Sequence, residues 1–292
     1  MVLRVFRFDA SGCNGCDIEI LSTIHNPEYA VTGIEIVDAP EKAEAMIVTG
    51  GGNEKTAPLL KEASAKLREP KLVIAMGTCA ASMCVFKEGY QMRGPVDTLI
   101  PVNYFVLGCP PRPQNLAMAL HALLKDPETH DSAVWSSPEG LRARISLDQN
   151  KCTACGACVR MCPSHAIDIA EEDDRFRIVY NMWKCSFCGT CQQVCPEKAM
   201  TLTSDYVLHS PEKNISANGE IPRDTCSACG KPDISRAQKK AIGGRILENA
   251  SGFTELTREI QSSLEMCGGC KKIYVNQRAI RNKMKDWAYS GP

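Results

Sequence analysis

The sequence predicts an α/β domain with a mostly parallel sheet, followed by a small α+β domain and a short cysteine-rich C-terminal region. Strand-like apolar runs alternate with helical periodicity over residues 2–124. This alternation is typical of parallel strands joined by right-handed crossovers. After a stretch rich in turn formers near 130–150, one four-cysteine pattern occurs twice, and two Cys-x-x-Cys pairs follow. We therefore predict domains at 1–135, 148–205 and 206–292.

The elements of the first domain follow from the period of the apolar residues, which is two in a strand and 3.6 in a helix. Alternation or short β-rich apolar runs predict five strands, at 2–8, 33–38, 45–50, 71–77 and 104–108. Helical spacing predicts three helices, at 16–25, 54–68 and 111–124. The glycine segment 49–53 lacks the spacing of a dinucleotide-binding loop, so we predict a flexible turn there.

Composition limits the function classes that remain. The chain has 292 residues and 17 cysteines, with 34 cationic and 34 anionic side chains. Zero formal net charge argues against nucleic-acid binding, which requires a basic surface. The N-terminus lacks the apolar core of a secretory signal, and the longest uncharged stretch, 72–86, is too short to span a bilayer. We expect a cytoplasmic protein whose reduced thiols bind metals, with any attachment to the inner face of the membrane made by partner proteins.

Two cysteine runs in the second domain have the spacing C-x2-C-x2-C-x3-C-P, and an alternating connector at 168–183 predicts a hairpin between them. In bacterial two-cluster ferredoxins this spacing binds two [4Fe–4S] clusters, and the fourth cysteine of each run binds the other cluster. The expected ligands of cluster one are Cys152, Cys155, Cys158 and Cys195. The expected ligands of cluster two are Cys185, Cys188, Cys191 and Cys162. Two zinc knuckles are the alternative, but zinc sites use paired rather than tripled cysteines.

Four cysteines of the first domain lie in turns that follow predicted strands, namely Cys13, Cys16, Cys79 and Cys109. In an open, flavodoxin-like α/β sheet, the loops at the carboxyl ends of the strands converge on one crevice. We therefore expect the four thiols to meet there and hold one cluster, with neighbouring glycines allowing the backbone to approach closely. The alternative is that Cys79 and Cys109 are buried apolar residues.

Three further residues near these motifs have simpler predicted roles. Cys84 is outside the motifs, and its apolar neighbours predict a core thiol on the helix after Cys79. Asp17 and Glu19 follow the first cysteine pair. We expect them to favour the N-terminus of the following helix through its dipole, although they could also face a catalytic partner.

The motifs CNGCDIEI, GTC and GCPPRP occur in this order within about residues 5–125. Together they resemble the small subunit of the energy-converting, membrane-bound [NiFe] hydrogenases (group 4, Ech-type), which is related to the 20 kDa subunit of complex I. The resemblance implies that Cys13, Cys16, Cys79 and Cys109 ligate a proximal [4Fe–4S] cluster. In the complex I branch the first two cysteines are adjacent, whereas the C-x2-C spacing here favours the hydrogenase branch. Soluble cofactor-reducing hydrogenases rank second, because their first motif usually lacks the CDIE continuation.

The resemblance also implies a role in a larger assembly. The chain would be an electron-transfer subunit with three [4Fe–4S] clusters and no catalytic residue of its own. Its implied partners are a large subunit with the nickel–iron site, ion-translocating membrane subunits, and a soluble low-potential donor such as ferredoxin. Two other functions stay open. One is a complex I-like or cofactor-reducing relative that reduces a quinone, a sulfur compound or another acceptor, and the other is a non-catalytic assembly protein with a zinc module.

The C-terminal region contains two Cys-x-x-Cys pairs, Cys226 with Cys229 and Cys267 with Cys270, on either side of a predicted helical stretch at 234–265. The long gap between the pairs leaves three interpretations open: one tetrahedral zinc or rubredoxin-like iron, a fourth [4Fe–4S] cluster, or no metal. The tail after the second pair is basic and either docks an acidic partner or forms a solvated helix face. Its cationic residues are Lys271, Lys272, Arg278, Arg281, Lys283 and Lys285.

Overall fold

A computed structural model of the chain describes residues 2–27, 31–125, 134–136, 144–207, 209–210, 213, 216–249 and 262–289. The predicted boundary region near 130–150 and the end of the predicted helical stretch at 234–265 fall partly outside these residues. Among the described helices, none combines the length and the apolar character that crossing a bilayer would require.

The first domain is built on a parallel sheet, as predicted. Its elements are β1 (Leu3–Asp9), α1 (Gly15–His25), β2 (Ile34–Val37), β3 (Ala45–Thr49), β4 (Gly52–Asn53), α2 (Thr56–Lys66), β5 (Leu72–Met76), α3 (Gly77–Ser82), β6 (Met92–Gly94), β7 (Tyr104–Val106) and α4 (Pro113–Lys125). Five strands pair in parallel in the order β7-β5-β3-β1-β2. β4 and β6 form a separate antiparallel pair. The predicted flavodoxin-like α/β class is confirmed.

Side-chain alternation along the central strands divides the core into two layers. Ala45 and Ile47 of β3 pack on the face covered by α1 and α4, where Ile20 and Leu116 are almost fully buried. Met46 of β3 points to the opposite face, which α2 covers. Because both faces are covered, β3 and β5 are buried throughout and apolar except for Thr49 at the end of β3. The two layers hold the carboxyl ends of the strands at one edge of the sheet.

The remaining elements form a small α+β unit and a C-terminal region that continues its sheet. They are β8 (Val134–Ser136), β9 (Ile145–Leu147), α5 (Ala157–Arg160), β10 (Ile167–Glu171), β11 (Arg175–Tyr180), α6 (Thr190–Gln193), β12 (Met200–Leu202), β13 (Asp205–Val207), β14 (His209–Ser210), β15 (Ser216–Thr225), β16 (Pro232–Ser235), α7 (Arg236–Asn249) and α8 (Gly268–Tyr289). β10 and β11 form the predicted hairpin, and the sheet order is β10-β11-β15-β16. β14 adds an antiparallel strand to the edge of the first sheet, beside β7.

Trp183 and Phe187 of the second unit insert into the core of the first domain. Trp183 is 2% exposed, and its ring lies edge-on to Phe105 with 5.6 Å between centroids. Both side chains pack in the same apolar cluster as Ala80 and Ala81 of α3. The two units therefore share a packed junction beside α3.

Replacing Trp183 with alanine should loosen this junction. Deleting a buried tryptophan side chain costs about 3–5 kcal/mol, through lost burial and the cavity left behind. We expect faster amide hydrogen exchange in α3 and in residues 182–187, measured by mass spectrometry. Tyr90→Ala is the control, because Tyr90 is 92% exposed. Equal exchange in the two variants would contradict a packed junction.

Candidate metal centres

The four cysteines of the first domain converge at the carboxyl edge of the sheet. Cys13 lies in the loop after β1 and Cys16 in the first turn of α1, while Cys79 lies on α3 and Cys109 follows β7. Burial first, and then the neighbouring sulfurs of Cys79, Cys109 and Cys13, raise the pKa of Cys16. Burial and the sulfurs of Cys109 and Cys13 also raise the pKa of Cys79 to about 12.

Such mutual repulsion among neighbouring sulfurs is relieved when a cationic metal centre binds the thiolates. The four residues therefore fit a metal cluster. We name them the N-terminal site.

Glycine makes room for these sulfurs. Gly77 has a φ of +90°, and a Cβ at this position would lie 2.5 Å from the Cys16 Sγ. Gly50 has a φ of +70°, and its Cβ would lie 2.4 Å from the backbone carbon of Ser11, in the loop that leads to Cys13. The prediction of a flexible turn at 49–53 is therefore wrong, because this glycine segment is packed tightly against the cysteine loop.

Gly77→Ala should remove the N-terminal site while leaving the other sites intact. Alanine would combine a strained backbone with a clash against the Cys16 sulfur. We expect the iron content to fall by about four atoms per chain, which is one [4Fe–4S] cluster. Gly244→Ala is the matched control, because a Cβ there meets nothing within 4 Å. Full iron content in Gly77→Ala would contradict the proposed site.

The first cysteine run of the second unit lines a cavity together with one cysteine of the second run. A second cavity is lined by the second run together with one cysteine of the first run. The first contains Cys152, Cys155, Cys158 and Cys195, and the second contains Cys162, Cys185, Cys188 and Cys191. We name them the cluster-one and cluster-two sites. The grouping has the crossed pattern that the spacing predicts, and the ligand assignment itself stays a prediction.

Backbone N–H groups point at the sulfurs of both sites in the same way. Ala154 N donates to Cys152 Sγ at 3.4 Å, and Phe187 N donates to Cys185 Sγ at 3.3 Å. Both donors have φ values of 55°, so equivalent tight turns aim the two N–H groups. Hydrogen bonds to the charged form of a group stabilise it, which favours thiolates as ligands.

The four cysteines of the C-terminal region lie close enough together to bind one metal ion. Their four sulfurs all lie within 4.8 Å of one another, and Cys229 Sγ is 3.9 Å from Cys267 Sγ. A tetrahedral ion with metal–sulfur bonds of about 2.3 Å separates its ligand sulfurs by about 3.8 Å. A cluster spreads its ligands further, because each cysteine binds a different iron. Hydrogen bonds, above all from the backbone of Cys267, also lower the pKa of Cys226 to about 6. The geometry of Cys226, Cys229, Cys267 and Cys270 therefore fits a single ion.

Three contacts between the first domain and the cluster-two site were not expected from the sequence. Thr78 Oγ1 donates to the carbonyls of Gly108, at 2.9 Å, and Cys185, at 3.1 Å. Ser82 Oγ donates to the carbonyl of Trp183 at 2.7 Å. Cys84 Sγ makes the third contact, with the carbonyl of Lys184 at 3.6 Å. Thr78 is the middle residue of the GTC motif and Ser82 lies outside the motifs, but nothing in the local sequence indicates these contacts, which are seen only in the folded chain.

Comparison with known proteins now identifies the first domain. Residues 13–123 match the family described as NADH ubiquinone oxidoreductase, 20 Kd subunit, and residues 151–199 match the 4Fe-4S dicluster domain. An uncharacterized protein of Methanocaldococcus jannaschii is 44% identical over 116 residues, which are 39% of this chain and 77% of that protein. The chain belongs to the NADH ubiquinone oxidoreductase 20 kDa subunit family.

The chain is also similar to a subunit of a membrane-bound hydrogenase and to a chain of a solved membrane complex. The protein described as "Probable membrane-bound hydrogenase subunit mbhJ" of Pyrococcus furiosus is 37% identical over 127 residues, which are 41% of this chain and 75% of that protein. A solved chain of the membrane-bound sulfane sulfur reductase, an archaeal respiratory membrane complex, aligns with 44% of this chain and 72% of its own, with a TM-score of 0.38 and 23% identity. The two family matches and the similarity to the hydrogenase subunit mbhJ make this member of the 20 kDa subunit family an iron–sulfur electron-transfer subunit related to membrane-bound hydrogenase and complex I subunits.

The 20 kDa subunit family match contains all four cysteines of the N-terminal site, and it also contains Asp17. This carboxylate is 6% exposed, pairs with Arg7 and accepts a hydrogen bond from Thr49 Oγ1. Asp17 therefore ties the start of α1 to β1 and β3, a stronger role than the predicted helix-dipole effect. Glu19 lies 3.7 Å from Arg112, and burial raises its pKa.

Cys84 is buried as predicted, and so is its neighbour Met83. It follows α3 rather than lying on it, however, and its other apolar neighbours, Val85 and Phe86, are 50% and 43% exposed. A hydrogen bond from Cys84 lowers the pKa of Cys109 to about 7. Cys84 is therefore a neighbour of the N-terminal site.

Proposed function

We propose that this chain is the electron-transfer small subunit of a membrane-associated [NiFe] hydrogenase complex. It would connect a low-potential donor such as ferredoxin to a nickel–iron site on a separate large subunit. Membrane partners on the inner face would couple the reaction to ion translocation. Bound [4Fe–4S] clusters would each accept and release one electron. The chain's own residues hold the three sites at fixed separations and carry no acid, base or nucleophile for the reaction.

The observation that carries the proposal is a direct contact between the cluster-two site and the N-terminal site. The buried hydroxyl of Thr78 donates hydrogen bonds both to the carbonyl of Gly108, the residue before Cys109, and to the carbonyl of Cys185. Trp183 and Phe187 seal the same junction against water. The three sites would therefore stand in series, with the cluster-two site in the middle.

The outer face of the N-terminal site suits a partner protein. Cys13 and Cys109 are both exposed. Ile18 and Leu21 stand one turn apart on α1, which begins between the first two cysteines of this site, and are 65% and 50% exposed. Exposed apolar side chains beside metal ligands indicate a surface that another subunit covers. The large subunit is the partner that we assign to it.

The C-terminal site would lie at the opposite end of the series. Ser235 Oγ donates to the carbonyl of Thr153 at 2.7 Å, next to the ligand Cys152. Arg245 pairs with Glu197, which lines the cluster-one cavity. We propose that this region holds one zinc or iron ion and covers the cluster-one site.

Co-purification tests the proposed function. The chain, expressed with its neighbouring subunits and purified without oxygen, should contain nickel and evolve hydrogen from reduced ferredoxin. The name of the matching 20 kDa subunit family also favours a second candidate function. In that function the chain is a complex I-like subunit that delivers electrons to a quinone or a sulfur compound. Iron without nickel, together with quinone or sulfur reduction, would overturn the hydrogenase proposal in favour of that candidate.

A further inference from the structure

The C-terminal helix α8 is a long basic helix that plays no part in the electron path described above. It runs from Gly268 to Tyr289 and begins at the C-terminal site. Every residue from 272 to 284 is exposed, so the described part of the chain buries no face of the helix there. Because helices in proteins draw most of their stability from packing, an exposed helix of this length indicates a surface for a partner.

An apolar stripe runs along the exposed part of α8. Ile273, Ile280 and Met284 are 59%, 60% and 65% exposed. Their spacing of seven and four residues puts the three side chains on one face of an α-helix. Val275 is 58% exposed and lies away from the stripe, because it follows Ile273 by two residues. The stripe is therefore narrow and one-sided.

Cations border the stripe on both sides. They are Lys271, Lys272, Arg278, Arg281 and Lys283, and no acidic residue occurs between 268 and 284. By helical spacing, Lys272 and Lys283 lie on one side of the stripe and Arg281 lies on the other. A partner that fits this surface carries acidic side chains around a small apolar patch, since opposite charges steer association.

Buried contacts hold the start of α8 close to the cluster-one site. Ser235 is fully buried, and its hydroxyl donates to the carbonyl of Thr153 in the first cysteine run. One turn later on α7, the buried Lys239 pairs with Asp224 at 3.4 Å. Asp224 is two residues before Cys226 of the C-terminal site. α7 thus links the site where α8 begins to the end of the series at which electrons would enter.

We infer that α8 is the docking surface for the soluble electron donor, a small acidic iron–sulfur protein of the ferredoxin class. The inference rests on the proposed function, in which such a donor reduces cluster one. Electron-transfer partners meet over small interfaces and are steered by charge, which suits a narrow stripe bordered by cations. A helix in a lipid interface would instead bury a broad apolar face. One electron leaves the donor's cluster and enters cluster one, and no bond forms or breaks.

The first test measures reduction of the chain by an acidic two-cluster ferredoxin in anaerobic stopped-flow experiments at several salt concentrations. The α8 charge variant combines Lys272→Gln, Arg281→Gln and Lys283→Gln, and glutamine keeps a similar helix propensity. Its second-order rate constant should fall about tenfold at low salt. The difference from the wild-type chain should vanish at high salt, where exposed charges are screened.

Two controls match this test in charge and in exposure. Lys55→Gln, Lys61→Gln and Lys87→Gln together remove three exposed cations of the first domain and should leave the rate close to that of the wild-type chain. Ile280→Ala shortens the apolar stripe and should weaken the binding of oxidised ferredoxin about fivefold, measured by isothermal titration calorimetry. Val275→Ala, outside the stripe, should bind ferredoxin as the wild-type chain does.

The contrary results separate this inference from the proposed function. A wild-type chain that ferredoxin does not reduce would contradict both. Normal wild-type reduction with an equally fast α8 charge variant, or with an equally slowed first-domain control, would contradict the inference alone. Equal binding losses in Ile280→Ala and Val275→Ala, or loss of iron from the α8 charge variant, would also overturn it. If that variant lost binding to anionic phospholipid vesicles but kept its ferredoxin reduction, the helix would be assigned to a membrane surface instead.

Discussion

Replacing Cys191 with serine is expected to interrupt electron delivery through the chain. Cys191 is buried on α6 and lines the cluster-two cavity. Losing this ligand should remove cluster two, or about four iron atoms per chain. Because cluster two stands between the other two sites in our account, the N-terminal cluster should no longer be reduced by ferredoxin. Stopped-flow absorbance with reduced ferredoxin measures this transfer.

Gln193→Ala is the matched control, since Gln193 is exposed on the same short helix. It should retain full iron content and wild-type transfer. The N-terminal cluster of Cys191→Ser should still be reducible by a small viologen, because Cys13 and Cys109 are exposed. Unchanged transfer from ferredoxin in a chain that lacks cluster two would contradict the series order.

Cys226→Ser is expected to have the largest effect on folding. Structural zinc sites contribute about 10–16 kcal/mol of apparent binding free energy in small peptides, and this energy is coupled to folding. α8 begins at Gly268, between two of the ligands, so the bound ion would fix its start. We expect loss of one metal ion per chain and rapid amide exchange throughout α8.

Ser227→Ala controls for this variant, because Ser227 is the exposed neighbour of Cys226. It should keep both the metal and the protection of α8. If α8 stayed protected in a Cys226→Ser chain that has lost its metal, the ion would have no structural role there. Metal analysis of both variants also decides between zinc and iron.

Much of this architecture could be predicted from the sequence, because the signals are local. The apolar period of β3 and β5 reflects burial on both faces, and the cysteine spacing reflects the turns that wrap a cluster. The tight turns at Ala154 and Phe187 repeat because the spacing repeats. Each of these features depends on residues close together in the chain.

The junction could not be predicted, because it depends on contacts between residues about 100 positions apart. Thr78, Ser82 and Cys84 all reach carbonyls in the segment 183–185. The GTC motif contains Thr78 but does not indicate its partner, no motif contains Ser82, and the apolar neighbours of Cys84 suggested an ordinary core position. The packing of Gly50 against Ser11 was missed for the same reason, since it joins two loops that only the sheet brings together.

The most direct test of the account is a metal count with EPR on the reduced, anaerobically purified chain. Three clusters of four predict about 12 iron atoms per chain and three spin systems. One further zinc or iron ion should be present. Magnetic coupling of the middle spin to both others would support the series order. A chain that contains zinc and no iron–sulfur signal would contradict the central claim that it carries electrons.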